Sequence, residues 1–288
     1  MARTGKRDGK GAPTGFSSRW RTVGALRLHA LRADGPESAP PVVLLPGLVT
    51  ASRSMVPLAR ALTRHGLRPW MLDPAGFGYS DKPPRALAIS EQADVVAEWL
   101  RAEGLVPAPL LGNSVGSQLA AAVAARHAGI ASRLVVLSPT LRPALRRPLA
   151  WVRLLPRPTG PRDRPGGRRR VRMLAGVHDR LGDEPSLRVL NAVSYTFCSV
   201  PRALSTARFA VQEEMERRLG RISAPTLVVR TGRDPFSSSR WARQLVELLP
   251  DGRMVRLDGR SHTAFYLAAD EVAEVVGPFL AAARAHPA

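Results

Sequence analysis

Ser114 stands between Gly112 and Gly116 in the stretch LLGNSVGS, residues 110–117. A serine hydroxyl is a weak nucleophile at neutral pH. It attacks a carbonyl only when it is exposed, has a base within reach and faces donors for the developing oxyanion. The apolar run before Ser114 predicts a strand, and the alanine-rich run QLAAAVAARHA after it predicts a helix. The serine then falls on a tight, strained turn at the strand's carboxyl end. Small residues at 112 and 116 let strand and helix approach, and the helix N-terminus aims free N–H groups at the same spot. The spacing G-x-S-x-G alone recurs by chance in a chain rich in Gly, Ala and Ser. Its junction between strand and helix is what gives it weight.

A base must come from elsewhere among six histidines. His262, in LDGRSHTAF, follows the last predicted strand by a short loop. In a parallel sheet such loops emerge at one edge, so His262 can reach Ser114 despite the long sequence separation. His29, His65, His127 and His286 fall in a hairpin, at two helix ends and in the tail, and are read as surface or cap residues. His178, in a helix of an inserted segment, is a weaker competitor. The imidazole needs an orienting acid. Asp234, in VVRTGRDPF, follows a strand in the same way as His262, although a D-P pair is also a common turn. Asp258 is the second choice, because it lies at the end of a strand rather than in a partner loop. Two backbone N–H groups are expected to hold the oxyanion: that of Val115, just after the serine, and that of Leu48, after Gly47 in LLPGLVT.

Positioning these loops requires a particular scaffold. Residues 19–32 alternate and predict a hairpin around Gly24. Strands are predicted at 41–47, 67–73, 108–113 and 133–138, separated by helices at 52–66, 90–104 (opening on Ser90 and closing on Gly104) and 114–129. The alternation resumes with strands at 225–232 and 253–259, a helix between them and a C-terminal helix. This is an α/β fold with a mostly parallel sheet flanked by helices. Residues 140–220 break the rhythm with a Pro- and Arg-rich stretch followed by helical segments. The expected organisation is a basic disordered tail over 1–18, a core over 19–139 and 221–288, and a helical cap over 140–220.

Composition narrows the functional classes. At 288 residues, 44% of them hydrophobic, the chain can bury one large core. Its longest apolar run is too short for a membrane span, and its basic N-terminus has no apolar segment of the secretory kind. A single cysteine, Cys198 in YTFCSV, allows no internal disulfide and is read as a small buried residue. These features point to the cytoplasm. The net charge of +20 concentrates in residues 1–32, about +7, and 141–221, about +11. The excess is scattered arginine without a nucleic-acid motif, so nucleic acid is not the expected partner. No metal-ligand cluster or phosphate-cradling loop is evident, and no cofactor is expected. The oligomeric state stays open.

GNSVG, LLPGLVTAS, GRDPF and GRSHTAF together resemble, in order, the nucleophile elbow, oxyanion loop, acid loop and histidine loop of the α/β-hydrolase superfamily. DPAGFGYSDKP (73–83) resembles its D-x-x-G-x-G-x-S motif, with Gly76 and Gly78 shaping a turn. The resemblance runs from about residue 20 to 285. Pro46 stands where the family usually has histidine, and Ser117 where it has a second elbow glycine. The resemblance implies the capped, serine-nucleophile branch: haloalkane dehalogenases and epoxide hydrolases carry an aspartate at the position of Ser114. It implies hydrolysis of a small-molecule carboxylic ester through an acyl-enzyme, with Ser114, Asp234 and His262 as the triad. Carbon–carbon bond hydrolysis, acyl transfer and non-catalytic binding are alternatives on the same fold.

Overall fold

The computed structural model describes residues 12–48, 50–140 and 199–282. One eight-stranded sheet organises them, in the order β1-β2-β4-β3-β5-β6-β7-β8. The strands are β1 (Phe16–Val23), β2 (Leu26–Ala33), β3 (Pro41–Leu45), β4 (Arg68–Leu72), β5 (Ala108–Asn113), β6 (Ala131–Leu137), β7 (Thr226–Thr231) and β8 (Gly252–Leu257). β1 and β2 form the expected hairpin, and β2 pairs antiparallel with β4; all other pairings are parallel. Phe16–Ser18, grouped above with the polar tail, belong to β1, because the buried Phe16 ring packs into the apolar core.

The short apolar runs are buried on both faces, as expected for strands covered by helices. Val43, Leu45, Leu110 and Val136 face one apolar cluster, and Val42, Leu44, Leu111 and Leu137 face the other. Helices α2 (Ile89–Ala102) and α3 (Val115–Arg126) cover the first face. Helix α1 (Val56–Thr63), entered through a 3-10 turn at Ser52–Met55, covers the second together with the C-terminal helix. Helix α2 starts earlier than Ser90 suggested. Its N-cap is Ala88, whose N–H donates to Glu91 Oε2 at 2.8 Å. Arg85 beside it and that amide hold the Glu91 carboxyl at about 2, far below its ordinary value. Gly104 follows the helix in the left-handed region, as its place in the sequence predicts.

Helix α4 (Val200–Gln212) and 3-10 turns at Met215–Arg217 and Leu219–Arg221 precede β7. Helix α5 (Ser239–Glu247) follows it, and α6 (Ala264–Leu267) and α7 (Ala269–Ala281) follow β8. Residues 141–198, most of the expected cap, lie outside the described residues together with Cys198, His178 and the first eleven residues; so does His286. No described helix is long and apolar enough to cross a membrane.

The strand order fixes where a ligand can enter. From β3 the chain crosses outward to β4, then returns past β3 to β5. The connections leaving β3 and β5 therefore diverge, and a crevice opens between their carboxyl ends. Gly47 lies just beyond one of those ends and Ser114 just beyond the other.

Candidate active site

Ser114 joins β5 directly to α3 with φ 57° and ψ −121°. This is a backbone conformation that a non-glycine residue rarely adopts, and it persists only where the surroundings impose it. The surroundings are backbone. A Cβ on Gly112 would lie 2.0 Å from the Gly116 carbonyl oxygen, and one on Gly116 would lie 2.2 Å from that of Leu45. The missing side chains let β3, β5 and α3 converge. Ser114 N–H donates to Leu137 O at 3.0 Å, which ties the turn to β6. Ser114 occupies the N-cap position of α3, yet its hydroxyl does not cap the helix. Serine usually spends its hydroxyl on that bond. The buried Ser117 instead donates to the Ser114 carbonyl oxygen at 2.5 Å, which gives this departure from the family pattern a structural role.

The loop after β3 approaches the serine closely. A Cβ on Gly47 would sit 3.3 Å from Ser114 Cβ and 3.7 Å from Ser114 Oγ. Thr50 donates to the Gly47 carbonyl oxygen twice, from its N–H at 3.3 Å and its hydroxyl at 3.0 Å. In a trans peptide the Leu48 N–H points opposite to that carbonyl, so Thr50 sets its direction. Val115 begins α3, and a first-turn amide has no acceptor within its helix.

The other half of the site forms from the loops after β7 and β8. His262 Nδ1 meets Asp234 Oδ2 at 2.9 Å, both residues being buried. Asp234 Oδ1 accepts from the N–H groups of Phe236, at 2.8 Å, and Ser237, at 3.2 Å. The carboxylate is thus anchored at one oxygen and presents the other to the imidazole. The Phe236 ring meets the His262 ring edge-on, with centroids 5.0 Å apart. Arg233 N–H donates to Arg260 O at 2.8 Å and joins the two loops. Arg230, buried in β7, donates to the carbonyls of Gly232 and Ser237, and burial holds its guanidinium below the ordinary value. Asp258, the second choice for the acid, is exposed and pairs with Arg256 at 2.6 Å.

The two halves meet across α4. Val115 and Phe236 both pack against the buried Ala210, whose carbonyl accepts from Gln118 Nε2 at 3.1 Å. Among the described residues, however, no hydrogen bond links Ser114 Oγ to the His262 ring. Acid and imidazole are joined here, and serine and imidazole are not. No described group of three or more His, Cys, Asp or Glu side chains is arranged to hold a metal.

His29 departs from the expectation of a surface residue. It is 2% exposed, with Nδ1 2.7 Å from Asp73 Oδ2 and Nε2 3.1 Å from Ser18 Oγ. This too is a Ser-His-Asp set, but its setting is structural. Ser18 lies within the regular β1–β2 ladder, opposite Leu31. Asp73 also accepts from Tyr79 N–H at 3.0 Å and from Ser52 N–H at 2.6 Å. A Cβ on Gly78 would lie 2.3 Å from that carboxyl group, and Ser80 Oγ links Asp73 O to His29 N–H. The D-x-x-G-x-G-x-S stretch is therefore a buried polar knot fastening β2 to β4. The signal in the sequence was the motif itself, whose aspartate needed a partner. Asp73→Asn turns an amide group toward donors and should remove about 2–4 kcal/mol. Its urea midpoint should fall with little change in slope.

Comparison with known proteins agrees with this architecture. A family model described as alpha/beta hydrolase fold matches residues 40–269, and the chain belongs to that family. The chain is 37% identical over 125 residues to a haloalkane dehalogenase of Mycobacterium marinum, a match covering 41% of each protein. It is 36% identical over 129 residues to a haloalkane dehalogenase of Mycolicibacterium paratuberculosis, covering 44% of this chain and 42% of the relative. The match thus spans less than half the length of these relatives. Among solved structures, a putative lipase from Acinetobacter baumannii AYE aligns with a TM-score of 0.75 at 18% identity, over 92% of this chain and 91% of that one. The enol-lactonase from Burkholderia xenovorans LB400 aligns with a TM-score of 0.67 at 22% identity, over 92% and 100%. Likeness at these identities concerns the fold alone.

Proposed function

We propose that this protein is a serine hydrolase of small-molecule carboxylic esters, with Ser114 as nucleophile, His262 as base and Asp234 as orienting acid. The observation that supports the proposal is the strained Ser114, its hydroxyl uncommitted to the helix, together with a buried His262–Asp234 pair on loops that leave the same edge of the parallel strands. Asp234 accepts a hydrogen bond from the Nδ1–H group and so leaves Nε2 as the acceptor for the Ser114 proton. Ser114 Oγ bonds to the ester carbonyl carbon, and its proton passes to His262. The carbonyl oxygen becomes an oxyanion facing the N–H groups of Leu48 and Val115. Collapse expels the alcohol, which takes the proton from His262. Water then repeats the sequence and releases the acid. Substrate must bring Ser114 Oγ and His262 Nε2 to hydrogen-bond distance; such contacts are often long before substrate binds.

The dehalogenase likeness is weighed by chemistry. A carboxylate that displaces halide forms an ester, which water can cleave. A serine doing the same would form an ether, which it cannot. Ser114 therefore favours acyl over alkyl transfer. A fluorophosphonate probe should label the wild-type protein at Ser114 and leave Ser114→Ala unlabelled. A p-nitrophenyl ester panel of graded chain length should show turnover. No label and no turnover would leave a binding protein instead.

A further inference from the structure

Every residue of β7 is buried, and one of them is charged. Arg230 is 9% exposed, in the strand that leads into Asp234. Among the described residues it makes no ion pair. Its neighbour across the ladder is another arginine, Arg256, which pairs with Asp258 at 2.6 Å. Burial first, and then the like charge of Arg256, hold the Arg230 guanidinium below its ordinary value. A charge so placed is unfavourable, and a methionine would fill the strand without it. What methionine lacks is a rigid fork of donors. Arg230 spends that fork on backbone. Nε donates to Ser237 O at 3.3 Å and Nη2 to Gly232 O at 3.2 Å. Those two carbonyls stand at the two ends of the loop that carries Asp234.

We propose that Arg230 is a positioning residue for the acid: by clasping both ends of the loop 232–237, it fixes the Asp234 carboxylate against His262. The inference rests on the reading of Asp234 as orienting acid in an acyl-enzyme reaction. The line of contacts is short. Arg230 holds the Ser237 carbonyl, Ser237 N–H donates to Asp234 Oδ1 at 3.2 Å, and Asp234 Oδ2 meets His262 Nδ1 at 2.9 Å. The near end of the loop is also tied to β8, since Gly232 N–H donates to Leu257 O at 2.7 Å. The far end runs into α5. Arg230 joins the two ends directly, and a fork can do so where a single donor cannot hold both in one plane. Misplacing a reacting group by about 1 Å costs on the order of 10²-fold in rate, so a slack loop shows itself in turnover.

The test measures kcat and KM on p-nitrophenyl butanoate for Arg230→Met, made in the full-length wild-type protein and again in Asp234→Asn. In the wild-type background kcat should fall about 10- to 100-fold, with KM changed by less than about 3-fold. In Asp234→Asn, where the acid is already disabled, the same substitution should lower kcat by less than about 2-fold, because the two residues act in one network. A merely structural arginine would loosen the sheet and lower kcat by the same factor in both backgrounds. Arg230→Lys keeps the charge but not the fork, and is judged by the same comparison should Arg230→Met not fold. Equal losses in both backgrounds, or no loss in the first, overturn the role of Arg230 and leave the ester hydrolase standing. No turnover of the ester by the wild type, with no fluorophosphonate label, removes both.

Discussion

Ser114→Ala should lower kcat by on the order of 10⁶-fold, with the fold intact. The side chain makes no cap bond to α3, so its removal takes nothing from the helix. What it removes is the atom that becomes acylated. Members of such a set act as a unit, so Ser114→Ala combined with His262→Ala should be little worse than either alone. Asp234→Asn is the sharper test, because it preserves shape. Oδ1 is held by the amides of Phe236 and Ser237, which require an acceptor there. The new NH₂ group must then take the place of Oδ2 and face His262 Nδ1. That forces the ring to carry its proton on Nε2, where it cannot accept from serine, and turnover should fall by about 10⁴-fold. Initial rates on a p-nitrophenyl ester measure all of these. Near-wild-type activity in Asp234→Asn would mean that the buried pair only braces the loop.

The Asp234–His262 half of this candidate site was legible in the sequence because parallel topology makes one geometric promise. Loops after successive strands share an edge, so Ser114, Asp234 and His262 could be assigned to one rim before any distance was known. Asp234 could be preferred to Asp258 for the same reason, and the structure gives Asp258 a surface arginine instead. His29 was misread because its strand alternates. In LRLHALRA the polar positions suggested a wet face, but β2 lies between β1 and β4 and is largely covered. A histidine can sit there because Asp73, 44 residues away, supplies a partner. Local pattern does not reveal a partner that distant. Ser90 was a reasonable cap by type, but Glu91 reaching back to the Ala88 amide sets the start one turn-fraction earlier.

Gly116→Ala should remove about 4 kcal/mol or more, or abolish soluble expression. A single added methyl in a packed core commonly costs about 1–3 kcal/mol, because neighbouring side chains shift. Here no side chain is available to shift. The new Cβ would lie 2.2 Å from the Leu45 carbonyl oxygen and 2.4 Å from that of Pro46. Leu45 pairs with Gly112 in the β3–β5 ladder, so retreat of that carbonyl breaks the centre of the sheet. Gly112→Ala meets the same obstacle from the other side, 2.0 Å from the Gly116 carbonyl oxygen. Gly220→Ala is the control, since its nearest neighbour is the Leu248 carbonyl oxygen at 3.8 Å, and it should change stability by less than about 1 kcal/mol. Denaturant midpoints compare the three. The contact that excludes a methyl at 116 is also the one that brings Pro46 and Gly47 onto Ser114. A Gly116→Ala protein as stable and active as wild type would show that β3 can withdraw from the turn without effect, and the oxyanion role of Leu48 would fall with it.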